Sequence, residues 1–332
     1  MTVFGGSDRN LVFCSLALIA SLTSSTASVI MIHIIRKMQW SGHLSLIYTM
    51  TWFQLLYDIS FFPGIVNTNN SSLQILSNLA QILGGISSSI MSNFIAFVAL
   101  YVIAKVVTLN IPKYYFIIVA FSVLPAFVVG VVYLTGEAQY HQHPKLAELA
   151  VLDLYYYVRL SSILLNFIFS FFTFYCINRI NSHKKSKSSA EKAIGTLAMR
   201  LFYYPIVQAI SRSGCAWYEY SYGVEWQSGG GGFSLNPPHV SSLQFTSQCL
   251  MVISTPLASI GYLAIFLVMQ PDAYACLVAL ITCKPFVWSG AVKEETLLSS
   301  ADFEYPERPS LDDNRISLID NNYETDTLYD ED

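Results

Sequence analysis

Apolar residues in this chain fall into seven long runs broken by short polar stretches. The runs span roughly 11–35, 44–65, 74–106, 114–134, 152–178, 197–217 and 243–269. Each meets the requirement of about 20 mostly apolar residues for a helix crossing the hydrocarbon core of a bilayer. The third is long enough to tilt or to project past the membrane. The sixth carries Arg200 and Arg212 within an otherwise apolar pattern, and the seventh carries no charge. No stretch alternates over ten residues in the manner of a barrel strand. Lipid cannot satisfy an open backbone, so the pattern predicts an all-α membrane protein, a seven-transmembrane helix bundle over 11–283.

Composition agrees with this pattern. Of 332 residues, 53% are hydrophobic and only 12% are charged, about half the charge of a soluble domain. The first run starts without a basic leader and ends on Arg36-Lys37, which reads as a spanning helix and not a signal-peptide core of about 7–15 residues. The loop charges set an orientation. With residues 1–10 outside, the inner side holds Arg36, Lys37, Lys105, Lys113, Arg179, Lys184, Lys185, Lys187, Lys192, Lys284 and Lys293, while the outer side holds Arg9 and Lys145. This is the positive-inside bias, and the reverse orientation inverts it. The net charge of −4 comes from the segment 284–332, which is acidic, poor in bulky apolar residues and expected to be disordered in the cytoplasm. The balance therefore points to no nucleic acid partner. The lipid bilayer is the partner that composition requires.

Several positions invite modification. Asn69 and Asn70 each head an N-x-[ST] sequon in the first outer loop, where either glycosylation or an unmodified polar turn fits. Cys276 and Cys283 flank a short apolar stretch after Pro271, either a helix on the membrane surface with palmitoylation sites or a simple packed helix. In the tail, Ser310 and Ser317 each lie two residues after an arginine and are phosphorylation candidates. The last outer loop, about 218–242, holds Gly229–Gly232 and Pro237-Pro238 and reads as irregular. None of the six cysteines has zinc-ligand spacing, and no disulfide framework is expected.

Ionisable groups inside spans are the leading candidates for function. Asp58 lies 15 residues beyond His43, roughly 22 Å along its helix, in the outer third. Arg159 and Arg212 fall at similar depth on the fifth and sixth helices. One acid and two bases there suggest an outward-facing pocket for a polar or anionic ligand. The alternative is internal pairing or snorkelling to headgroups. Arg200 marks the inner end of the sixth helix, and Pro205, one turn on, removes a backbone donor and can kink it. No G-x-S-x-G, H-E-x-x-H or Walker loop occurs, so no enzyme is expected. His141-Gln142-His143 lacks a third ligand nearby, so no metal is expected, and no cofactor.

Together these features resemble a G protein-coupled receptor. The third span ends Tyr101-Val102-Ile103-Ala104-Lys105 without Asp/Glu-Arg-Tyr, and the seventh lacks Asn-Pro-x-x-Tyr, unlike the rhodopsin-like class. Arg200-Leu201-Phe202-Tyr203-Tyr204-Pro205 on the sixth span, with Gly42-His43-Leu44 through Tyr57-Asp58 on the second, is similar to the cyclic-AMP-receptor-like (class E) group of microbial eukaryotes. That resemblance covers about residues 10–283. It implies a plasma-membrane receptor that takes an extracellular ligand, moves its sixth helix outward and activates a heterotrimeric G protein. Lys184, Lys185, Lys187, Lys192 and Arg200 would meet the G protein, with arrestin-like or kinase contacts at the tail. The alternative is a multi-pass transporter or channel-like carrier of small polar solutes, although the first and last three spans show no convincing repeat.

Overall fold

The computed structural model describes residues 8–38, 41–62, 71–105, 110–138, 144–183, 189–227 and 242–282. These belong to one compact unit, Met1–Val287. Among the described residues the fold is entirely helical. In chain order the helices are α1 (Asp8–Lys37), α2 (Gly42–Ile59), α3 (Ser71–Lys105), α4 (Ile111–Ala138), α5 (Pro144–His183), α6 (Ser189–Gln227), α7 (Ser242–Met269) and α8 (Pro271–Ile281). A helix thus stands at each of the seven predicted runs, and α8 at the short apolar stretch after them.

Five of these helices are long and apolar enough to cross a membrane, over Ser15–Lys37, Ile75–Lys105, Ile111–Thr135, Leu154–Arg179 and Cys249–Met269. The chain is therefore a multi-pass membrane protein by the character of its helices. The other two long helices, α2 and α6, fall short for a chemical reason. Gln54 and Asp58 on α2, and Arg200, Gln208 and Arg212 on α6, lower their hydropathy.

Local signals explain the ends. Ser41 caps α2, its Oγ accepting from the Leu44 N–H at 3.3 Å, which satisfies one of the donors orphaned at a helix start. Pro271 opens α8, where a missing N–H costs nothing. Both α5 and α6 outrun their apolar cores. In particular α6 continues to Gln227, so the stretch from Tyr218 to Gln227, expected to be irregular, is helical. The glycine run and Pro237-Pro238 lie outside the described residues.

α3 sits centrally, packed against α2, α4, α5 and α6, and α7 closes the ring by packing against α6 and α1. α8 folds back onto α7 and α1. Three glycines let backbones meet. A Cβ on Gly84 of α3 would lie 2.7 Å from the Phe53 carbonyl oxygen of α2, and one on Gly214 of α6 would lie 2.8 Å from Ser254 Cβ of α7. One on Gly261 of α7 would lie 2.6 Å from a Val207 methyl of α6. The main apolar core gathers Met31, Ile34, Leu46, Met50, Ile95 and Phe266 towards the end where α1 and α3 finish and α2 begins. Farther along the bundle the interior turns polar. The outward faces of α4 and α5 are bulky and apolar, with Phe116 81% and Phe171 68% exposed. That pattern suits hydrocarbon as solvent and not water.

Candidate functional site

The polar half of the interior is built around Asp58, which is fully buried. Its Oδ1 accepts from Gln54 Nε2 at 2.8 Å, one turn earlier on α2. Its Oδ2 accepts from Ser259 Oγ of α7 at 2.6 Å and lies 3.3 Å from Ser28 Oγ of α1. Ser28 and Ser259 hydroxyls are themselves 3.1 Å apart, and Ser21 Oγ donates to the Asp58 carbonyl oxygen at 2.5 Å. The carboxylate thereby ties α1 and α7 to α2.

Gln54 is the residue that joins the two charges. Its Oε1 accepts from Arg212 Nη2 of α6 at 2.8 Å while its Nε2 serves Asp58. The amide lies with its donor toward the carboxylate and its acceptor toward the guanidinium, the one orientation that satisfies both. Arg212 Nη2 also donates to Ser88 Oγ of α3 at 3.0 Å, and its guanidinium carbon stands 3.9 Å from the Tyr57 ring centroid. This is cation–π distance. Its Nε is buried without a hydrogen-bond partner. Tyr57 Oη in turn lies 3.4 Å from Cys215 Sγ of α6.

A second amide repeats the device one turn along α6. Gln208 Nε2 donates to Ser89 Oγ of α3 at 3.1 Å, and Gln208 Oε1 accepts from Tyr262 of α7. Tyr262 packs on Tyr204 with ring centroids 5.7 Å apart. Pro205 is the residue after Tyr204, buried within a continuous α6.

No protein-family model and no curated protein matches this sequence. The site must therefore be read from its own geometry.

Of the three pocket candidates, Asp58 and Arg212 enter one network through Gln54. Arg159 is 5% exposed and approaches from another side. Its guanidinium stands 4.2 Å from the Tyr155 ring centroid. A Cβ on Gly85 of α3 would touch both the Tyr155 hydroxyl and the Tyr57 ring. The two arginines thus flank one pair of tyrosines held against a glycine. Arg200 is half-buried on α6, about three turns from Arg212. Cys276 is 3% exposed inside the main apolar core, so acylation requires it to leave that core. Lys184, Lys185, Lys187, Asn69, Asn70, Cys283, Ser310 and Ser317 lie outside the described residues, as does the side chain of Lys192.

Sequence reasoning missed Gln54, Gln208, Ser28, Ser88 and Ser259. The spacing held a usable signal: each glutamine precedes its charged residue by four, Gln54 before Asp58 and Gln208 before Arg212. That places both on one helix face.

Proposed function

We propose that this chain is a seven-helix receptor that binds a small polar or anionic ligand from outside and activates a heterotrimeric G protein. The supporting observation is the buried charge network Asp58–Gln54–Arg212, which joins α1, α2, α3, α6 and α7. Ionisable groups at such depth are costly and persist where they serve function. Arg212 Nε, with no protein partner, and the Arg159–Tyr155 and Arg212–Tyr57 stacks give an anion its donors. A ligand that drew Arg212 from Gln54 would loosen α6 from α2 while α6 stayed packed on α7. Differential affinity for the two arrangements then shifts their populations. Pro205 lies about two turns from Arg212, where a missing backbone donor makes α6 easiest to bend. In this reading α2 and α6 span the membrane despite their polar residues, the N-terminus lies outside, the membrane is the plasma membrane, and the basic 184–192 segment with Arg200 meets the G protein.

The test is guanine nucleotide exchange on co-expressed G protein α subunits, in membranes holding the chain. The added compounds are a panel of cyclic nucleotides, sugars and small anions. Faster exchange is expected, abolished by deleting 182–192 or by Arg200→Ala with expression intact. No exchange, together with uptake of a panel compound into vesicles, selects a solute carrier instead.

A further inference from the structure

A second group of buried polar atoms lies apart from the charge network, on the face α3 shares with α5. Asn93 Nδ2 of α3 donates to Ser162 Oγ of α5 at 3.0 Å, but Asn93 Oδ1 has no partner. One turn farther along α5, Asn166 is 1% exposed and neither its Nδ2 nor its Oδ1 is hydrogen-bonded. One turn beyond that, Ser170 Oγ is also buried and unpaired. The steps of four residues put Ser162, Asn166 and Ser170 on one buried face, about 6 Å apart along the axis.

The surroundings locate this face. Ile163 clusters with Ala209 of α6, and Phe174 stacks on Phe202 of α6 with centroids 6.4 Å apart. Asn166 and Ser170 fall between those two contacts along α5, as residues 203–208 do along α6. Pro205, within that α6 stretch, has no N–H to offer the Leu201 carbonyl. A buried amide with both ends unmade is among the costlier ways to fill an interior, because it loses water and gains nothing. Leucine at 166 would fit a helix interior better unless something polar meets the amide. The chemistry of that partner follows from what is present. Residues 72–104 of α3 and 160–178 of α5 contain no Asp, Glu, Lys, Arg or His. The unpaired atoms are neutral donors and acceptors in near-equal number.

We propose that Asn93, Asn166 and Ser170 form a neutral hydrogen-bonding subsite in the seam between α3, α5 and α6. Its ligand is an uncharged small molecule bearing hydroxyl or amide groups. The inference concerns binding alone and stands apart from the G protein reading. It also stands apart from Arg212, which meets α2 and the Ser88 turn of α3, while Arg159, about two turns from Asn166 on α5, is held on the Tyr155 ring.

The experiment uses the full chain in phospholipid nanodiscs with two probes, erythritol as a neutral polyol and acetate as an anion. Binding is read as saturation transfer from protein to probe by NMR. Asn166→Leu and Asn93→Leu attack the subsite from opposite helices, and helicity by circular dichroism confirms folding of each. Erythritol transfer is expected in the native chain and to fall about tenfold in either variant, the effect of one lost hydrogen bond. Asn166→Gln keeps most of it, and Gly195→Ala, at an open position on α6, leaves it unchanged. Equal erythritol transfer in native chain and both leucine variants, or none in any, overturns the proposal. Acetate transfer lost only in Arg212→Gln tests the anion reading separately.

Discussion

Gln54 does something neither charge can do alone: it lets a buried carboxylate and a buried guanidinium share one amide without touching. Removing one member of such an arrangement strands the other, and stranded buried charges cost about 3–5 kcal/mol. Asp58→Ala is therefore expected to lower the thermal unfolding temperature sharply. Arg212→Met in the same chain should recover a measurable part of the loss. A double-mutant cycle by thermal unfolding in nanodiscs checks this, and strictly additive losses would show that Gln54 transmits nothing between them. At this scale the sequence was partly legible. Counting helical rise put Asp58 and Arg212 at one depth, because charged residues in apolar runs are conspicuous. Gln54, Ser28 and Ser259 stayed hidden, since uncharged polar residues are common in such helices and give no depth of their own. Arg159 was matched by depth as well, and the structure stacks it on the Tyr155 ring.

Helices meet here through glycine as much as through side chains. Gly84 brings the α3 backbone onto α2, and a Cβ there would lie 2.5 Å from the Tyr57 backbone nitrogen. Gly84→Ala is expected to destabilise by about 1–3 kcal/mol, the usual cost of overpacking. Gly195, also helical, has nothing within 4 Å of a built Cβ. Gly195→Ala should be neutral or stabilise by up to ~1 kcal/mol through helix propensity. Paired thermal melts compare the two, and similar effects of both would contradict the packing described. Pro205 belongs to this scale as well. Pro205→Ala restores a backbone donor to α6, so on the receptor reading the chain should express normally while ligand-stimulated nucleotide exchange falls. The runs of apolar residues showed every long helix. They did not show how far α5 and α6 extend, because those extensions are polar and obey no membrane-length rule.

For the whole molecule, the division of labour among helices matters most. α4 and α5 turn bulky apolar faces outward, and the interior collects serine, amide and charge on α1, α2, α3, α5, α6 and α7. Hydropathy reads the outward faces well and the polar interior poorly. That is why five helices announce themselves as spans and two do not. The same polarity bears on how the chain is made. A segment leaving the ribosome is sorted into lipid by its own transfer free energy, and one Arg or Asp at its centre weighs about 2.5–3.5 kcal/mol against it. On the seven-span reading, the α6 segment alone, with Arg200 and Arg212, should pass through the translocon into the lumen more often than it stays. Followed by the α7 segment, which carries Ser254 and Gly261 to receive it, α6 should be retained. Engineered glycosylation acceptors on either side of α6, in microsomes, would count the two fates with and without α7. Biogenesis of this protein would then be a cooperative act, in which the helices that carry its charges wait for those that tolerate lipid.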